Sequence, residues 1–127
     1  MRVVAAVMIE DGRVFAAQRG AYGILGGKWE FPGGKIEKGE EPQVALRREI
    51  LEELKVHIEV LEPILTVQHS YPTFDITLEG YRCTLTDGEI TLTEHQGCGW
   101  FTADEVAVLD WAEADLPIVE RIQALLR

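Results

Sequence analysis

Apolar and polar positions change rhythm several times along the chain, and each change marks an element. Residues 2–19, RVVAAVMIEDGRVFAAQR, hold two apolar runs around Asp11-Gly12, a dipeptide that favours a tight turn between strands, and predict a β-hairpin. AYGILGGKWEFPGG, residues 21–34, is rich in glycine and aromatics and predicts a loop with one short strand near Trp29 to Phe31. Pro42 suits the first turn of a helix that runs to about Leu54. Residues 56–71 and 74–92 carry β-branched alternation, interrupted by Pro63, Pro72 and a second turn signal at Asp87-Gly88, and predict several more strands. Thr102-Ala103-Asp104-Glu105 has the form of a capping box and opens a short helix. Leu116 to Leu126 forms the last helix, with Ile118, Ile122, Leu125 and Leu126 at helical spacing. The order of elements is that of an α+β or α/β protein, without internal repeats.

The helix from Pro42 is unusual on its polar side. At one hundred degrees per residue, Val44, Leu46, Ile50, Leu51 and Leu54 fall on one arc, and Glu49, Glu52 and Glu53 on the other with only Ala45 among them. Like charges three and four positions apart oppose helix formation by about 0.2–0.5 kcal/mol per pair. A solvated face is the ordinary explanation of a Glu-rich helix, but such faces interleave charges of opposite sign. Here Arg48 is the one cation able to reach Glu52 at that spacing. Hard divalent cations take oxygen ligands, commonly a few carboxylates together with phosphate oxygens, so the cluster reads as half of a metal site. Gly33 and Gly34, just before it, leave the backbone open to a ligand, and Pro32 stiffens the approach.

Composition narrows the partners. With 127 residues, 46% hydrophobic and 27% charged, residues 1–127 are expected to form one globular domain. A net charge of −10 argues against a nucleic-acid polymer or an anionic membrane as partner, since either needs a cationic surface. A small polyanion still fits if metal ions reverse the local sign. Cys83 and Cys98 show no metal-binding spacing and read as buried thiols in a reducing, cytoplasmic setting. The apolar run VVAAVMI is too short to span a membrane, so no signal or anchor is expected.

Gly34, then Glu40, then Arg48-Glu49-Ile50-x-Glu52-Glu53 and Val56 resemble the Nudix box, G-x5-E-x7-R-E-U-x-E-E-x-G-U, where U is bulky and aliphatic. One position departs: Lys55 stands where the box has its last glycine, a residue that would end the helix in left-handed conformation. The flanking WEFPGGKIEKGE, Glu94-His95 before Trp100, and ADLPIVE extend the likeness to the MutT-like nucleoside-triphosphate branch.

The resemblance implies an α/β/α sandwich around a mixed β-sheet and hydrolysis of a nucleoside triphosphate to monophosphate and pyrophosphate. The substrate would be an oxidised nucleotide such as 8-oxo-dGTP or a cytidine-type triphosphate. Mg²⁺, with Mn²⁺ as an alternative, would be held by Glu52, Glu53, the Gly33 carbonyl and Glu94, with Glu49 as a ligand or as the base for the attacking water. Arg48 would align the glutamates and Glu40 support them. Arg19, Gly34 and Lys35 are candidate phosphate contacts. Phe31 and Tyr71 are candidates to stack on a base, or ordinary core aromatics, and His69 and His95 are supporting contacts, base contacts or structural histidines. Asp115 falls at the base-reading position. Ionised, it only accepts hydrogen bonds and suits an exocyclic amine, and its other reading is a helix N-cap. An ADP-ribose or other nucleoside diphosphate hydrolase is the alternative, and a non-catalytic nucleotide-binding module the third reading. The chain would act as a monomer or homodimer.

Overall fold

A computed structural model describes residues 1–127. Seven strands, β1 (Arg2–Glu10), β2 (Arg13–Arg19), β3 (Trp29–Glu30), β4 (Gly33–Lys35), β5 (His57–Tyr71), β6 (Phe74–Asp87) and β7 (His95–Phe101), combine with helices α1 (Pro42–Leu54), α2 (Ala103–Val106) and α3 (Leu116–Leu126). The sheet runs β3-β2-β1-β6-β5, with β4 on β1 and β7 on β2. Its β1–β6 pair is parallel and the others antiparallel, so the sheet is mixed.

The unbroken apolar run of β1 has a direct cause. Successive strand residues point to opposite faces, and both faces here are covered. Val4, Ala6 and Met8 pack with Phe15 and Ala17 against Ala45, Leu46, Ile50 and Leu54 of α1. Ala5, Val7, Val14 and Ala16 pack on the other side with Ile118, Val119, Ile122 and Leu126 of α3. Each fully buried Leu or Ile side chain contributes roughly 1.5–3 kcal/mol. This is the sandwich expected from the resemblance. No helix is long and apolar enough to cross a membrane.

The β1–β2 turn places Asp11 and Gly12 both at positive φ, as a two-residue turn that follows the strand twist requires. Helix α1 spans Pro42–Leu54 as expected and ends on Lys55 at φ 61°, ψ 30°, whose N–H bonds the Leu51 carbonyl. A lysine therefore adopts the left-handed cap that glycine would reach without steric cost. The Thr102 capping box forms with both of its hydrogen bonds.

Other expectations are corrected. Pro63 does not break a strand: β5 lies at the sheet edge, where the missing N–H is tolerated, and the register shifts on either side of it. The β5–β6 turn is Pro72-Thr73, whereas Asp87-Gly88 ends β6 without forming a hairpin, because β7 crosses to β2. Val44 and Leu51, placed on the packing arc, are exposed, as is Leu125. Cys83 is buried, but Cys98 is exposed.

One feature of the sheet creates the site. β2 pairs with β1 only beside the turn, at Ile9↔Val14 and Glu10↔Arg13, and then leaves for β3 and β7. β4 takes the released edge of β1, pairing Val3–Ala5 with Lys35–Gly33. A pocket opens where the two strands part.

Candidate active site

The cavity at this split has a volume of about 800 Å³, within the range of small-molecule sites. One end is charged: Arg19 from the end of β2, Gly33, Gly34 and Lys35 from β4, Glu49 and Glu53 from α1, and Glu94 and His95 at the start of β7. The other is apolar, built by Val3, Phe31, Phe74, Ile76 and Leu78 with Tyr71, Ala114 and Asp115. The chain thus offers two chemistries in one pocket.

At the charged end, Arg48 organises the box. Its guanidinium forms a two-point bond to Glu40, with both contacts at 2.9 Å, and donates to Glu49 Oε1 at 2.9 Å and to the Lys35 carbonyl at 3.1 Å. These bonds and one from the Glu37 N–H hold the Glu40 carboxyl down to about 2. Neither Glu40 nor Arg48 lines the pocket, so both act on it through other residues. The three glutamates that helical spacing put on one face part company. Glu53 is buried, Glu49 is mostly covered, and Glu52 has a 61% exposed side chain 3.7 Å from Arg48, outside the pocket lining. Both glycines of the loop are required by close approach. A Cβ on Gly33 would collide with the Val4 carbonyl, and one on Gly34 with the Glu49 carboxylate.

Glu53 is the anomaly. Its Oε2 is buried with no hydrogen-bond partner. Burial, followed by the charges of Glu30, Glu94 and Glu49, pushes its carboxyl up to about 9. Burial also raises Glu49, partly offset by Arg48. The pocket lining carries two side-chain cations, Arg19 and Lys35, against six acids, Glu30, Glu37, Glu49, Glu53, Glu94 and Asp115. An unpartnered buried carboxyl amid further carboxylates is costly as it stands and fits a divalent cation. The oxygen donors are of the hard type such a cation takes. No three acidic, imidazole or thiol groups converge on one point.

Two residues here were undervalued in the sequence. Glu30 accepts from Arg19 at 3.1 Å and lies 2.9 Å from His95 Nε2, so Arg19 shares its charge with a protein carboxylate. Sequence separations of 11 and 65 residues hide these contacts from any local pattern.

At the apolar end, Phe31 is buried and stacks on Trp111 with ring centroids 4.7 Å apart. The Tyr71 hydroxyl accepts from the Ala114 N–H at 2.9 Å, and its ring packs on Phe74 and His69. His69 lies outside the main pocket, 3.2 Å from Glu113. Asp115 stands at the N-cap position of α3 but makes no capping bond; the N-cap reading of its side chain is corrected. Its Oδ2 accepts instead from the Phe31 N–H at 3.0 Å, and burial pushes the carboxyl up to about 8. The residue is therefore protonated near neutral pH, and an acid expected only to accept hydrogen bonds can also donate one.

The family model for the NUDIX domain matches residues 3–121. The CTP pyrophosphohydrolase of Escherichia coli K12 is 35% identical over 125 residues, covering 98% of this chain and 93% of the relative. The 8-oxo-dGTP diphosphatase of Proteus vulgaris is 38% identical over 98 residues, covering 76% of this chain and 86% of the relative. Among solved structures, a DNA mismatch repair protein MutT of the Nudix hydrolase family from methicillin-resistant Staphylococcus aureus 252 superposes with a TM-score of 0.79. It is 40% identical and covers 98% of this chain and 96% of that one. The glycine loop, the Arg48-centred carboxylates and the pocket they flank thus belong to a domain matched over nearly its whole length, and the chain is a member of the Nudix hydrolase family, whose members generally work with a divalent cation.

Proposed function

We propose that the protein hydrolyses a nucleoside triphosphate to nucleoside monophosphate and pyrophosphate in a Mg²⁺-dependent reaction, with Mn²⁺ as a substitute. The observation that carries this reading is one pocket lined both by a packed apolar cluster beside Asp115 and by the carboxylates that flank the glycine loop. A base fits the first and a polyphosphate with its cations the second. Even with Asp115 and Glu53 protonated, Glu30, Glu37, Glu49 and Glu94 outnumber Arg19 and Lys35, so the pocket repels a bare polyanion and the metal requirement follows from charge.

Glu53, Glu49, Glu94 and the Gly33 carbonyl would hold the cation, with Glu52 swinging in from the rim. Bound there, it would neutralise the polyphosphate and make bound water more acidic. Arg48 engages one oxygen of Glu49, which leaves the other to orient the attacking water and take its proton. Arg19, Lys35 and Gly34 line the same pocket and would meet the phosphates, with Phe31 and Tyr71 as walls for the base. Substitution at phosphorus asks little more of a protein than position and field.

Asp115 reads the base. Protonated, it pairs one donor with one acceptor, which complements the N3 and N4 edge of cytosine. The names of the two curated relatives, one acting on CTP and one on 8-oxo-dGTP, bracket the choice, since the O6 and N7 edge of 8-oxoguanine offers the same complement. The deciding experiment is a panel of ribo- and deoxynucleoside triphosphates, 8-oxo-dGTP, ADP-ribose and UDP-sugars, scored for pyrophosphate against orthophosphate. Pyrophosphate release from a triphosphate supports the proposal. Hydrolysis of ADP-ribose alone would replace it with the alternative, and no turnover of any compound would leave a binding module.

A further inference from the structure

His95 occupies the start of β7, between Glu53 and Glu30, and its side chain is 4% exposed. Nε2 lies 2.9 Å from Glu30 Oε2, while the other Glu30 oxygen accepts from Arg19 at 3.1 Å. The contact with Glu30 holds the ring in place with Nε2 on that side. Its other nitrogen, Nδ1, is aimed at Glu53 Oε2 across 3.8 Å. Both atoms are buried, and neither has a hydrogen-bond partner.

Two buried polar atoms without partners, facing one another, make an incomplete contact. A side-chain adjustment of about 1 Å would bring the two within hydrogen-bond distance. Buried polar atoms seldom stay unpaired, and a carboxylate that binds a metal is commonly oriented by a hydrogen bond from behind. Resting on the reading of Glu53 as a cation ligand, we propose that His95 is a positioning residue for Glu53. Glu30 anchors the ring, and its Nδ1 edge selects the orientation in which the Glu53 carboxylate serves the pocket. The chain Arg19, Glu30, His95, Glu53 then ties the phosphate-contacting end of the site to the cation-holding end.

Two substitutions separate this role from simple packing. His95→Asn keeps a polar atom near the place of Nδ1 and gives up the Glu30 contact. His95→Gln reaches toward the place of Nε2 and gives up the group facing Glu53. Free Mn²⁺, followed by electron paramagnetic resonance in substrate-free protein, reports affinity without turnover, and metal-free melting temperatures report the fold. His95→Gln and His95→Ala should weaken Mn²⁺ binding by about tenfold or more, whereas His95→Asn should stay within about threefold of the parent. Equal losses in Asn and Gln, or losses that follow melting temperature alone, would overturn the proposal. Glu53→Gln is the control. Unchanged Mn²⁺ affinity in that variant removes the ligand reading of Glu53 and the proposal with it. Binding lost in Glu53→Gln but intact in every His95 variant removes the His95 proposal alone.

Discussion

Asp115→Asn isolates the protonated acid at the floor of the pocket. Burial of Asp115 raises its carboxyl from an ordinary 3.8 to about 8, against the smaller opposing effect of the Phe31 N–H. Between these values the folded protein keeps a proton that the unfolded chain has released. Stability of the parent therefore falls as pH rises from about 4 to about 8, and levels off above that. At 1.36 kcal/mol per unit, a rise of about four units sets an upper bound of about 5–6 kcal/mol across the window. Asparagine has nearly the same shape, can accept the same Phe31 bond and carries no titratable proton. The stability of the variant relative to the parent should accordingly climb by several kcal/mol from pH 4 to pH 8. Urea unfolding of both proteins at pH 5, 6, 7 and 8 measures the difference, and contributions from other titrating groups cancel in it. The catalytic counterpart is a KM that rises above pH 8 in the parent, as Asp115 ionises, and stays flat in the variant. Parallel stability curves would refute the inference that Asp115 is neutral in the folded protein, and with it the donor–acceptor account of base reading.

Further predictions concern the backbone around the box. Lys55→Gly should raise stability in urea by about 0.5–1 kcal/mol, the relief of the left-handed lysine at φ 61° less the extra freedom of glycine in the unfolded chain. Gly34→Ala places a methyl against the movable Glu49 carboxylate, so kcat should fall by about tenfold or more with the melting temperature nearly unchanged. Gly33→Ala meets the Val4 backbone instead and should lower the melting temperature itself, because neither strand can retreat without losing its pairing.

Much of this was legible before any coordinates, and the exceptions have physical causes. The β1–β2 hairpin and α1 follow local rules, Asp11-Gly12 for the turn and Pro42 for the first helical turn, and both emerged within those bounds. β4 did not: it consists of Gly33, Gly34 and Lys35, residues with little strand preference, and exists because β1 has an edge to offer after β2 departs. Pro63 looked like a strand breaker only because edge position is a property of the sheet. In the site, the spacing of Glu49, Glu52 and Glu53 marked the chemistry. Which of them enters the pocket depends on how α1 is rolled against the sheet, and that roll leaves Glu52 exposed outside the lining. The Glu30–His95 pair and the Phe31–Asp115 bond join residues 65 and 84 positions apart. Residue chemistry nominated Asp115, but only burial shows that its proton stays on.

On the proposed function, the Glu53 cluster is tolerated because a divalent cation and a polyphosphate share it. The most direct test is pyrophosphate release from CTP and 8-oxo-dGTP by the parent and by Glu53→Ala, each stripped with a chelator and then titrated with Mg²⁺. The parent should be inactive when stripped and recover with Mg²⁺. Glu53→Ala, which removes a buried carboxyl lacking a full set of partners, should fold at least as well without metal and remain about a hundredfold or more slower at any Mg²⁺ concentration. Release by the stripped parent, or an equal rate in Glu53→Ala, would contradict the account.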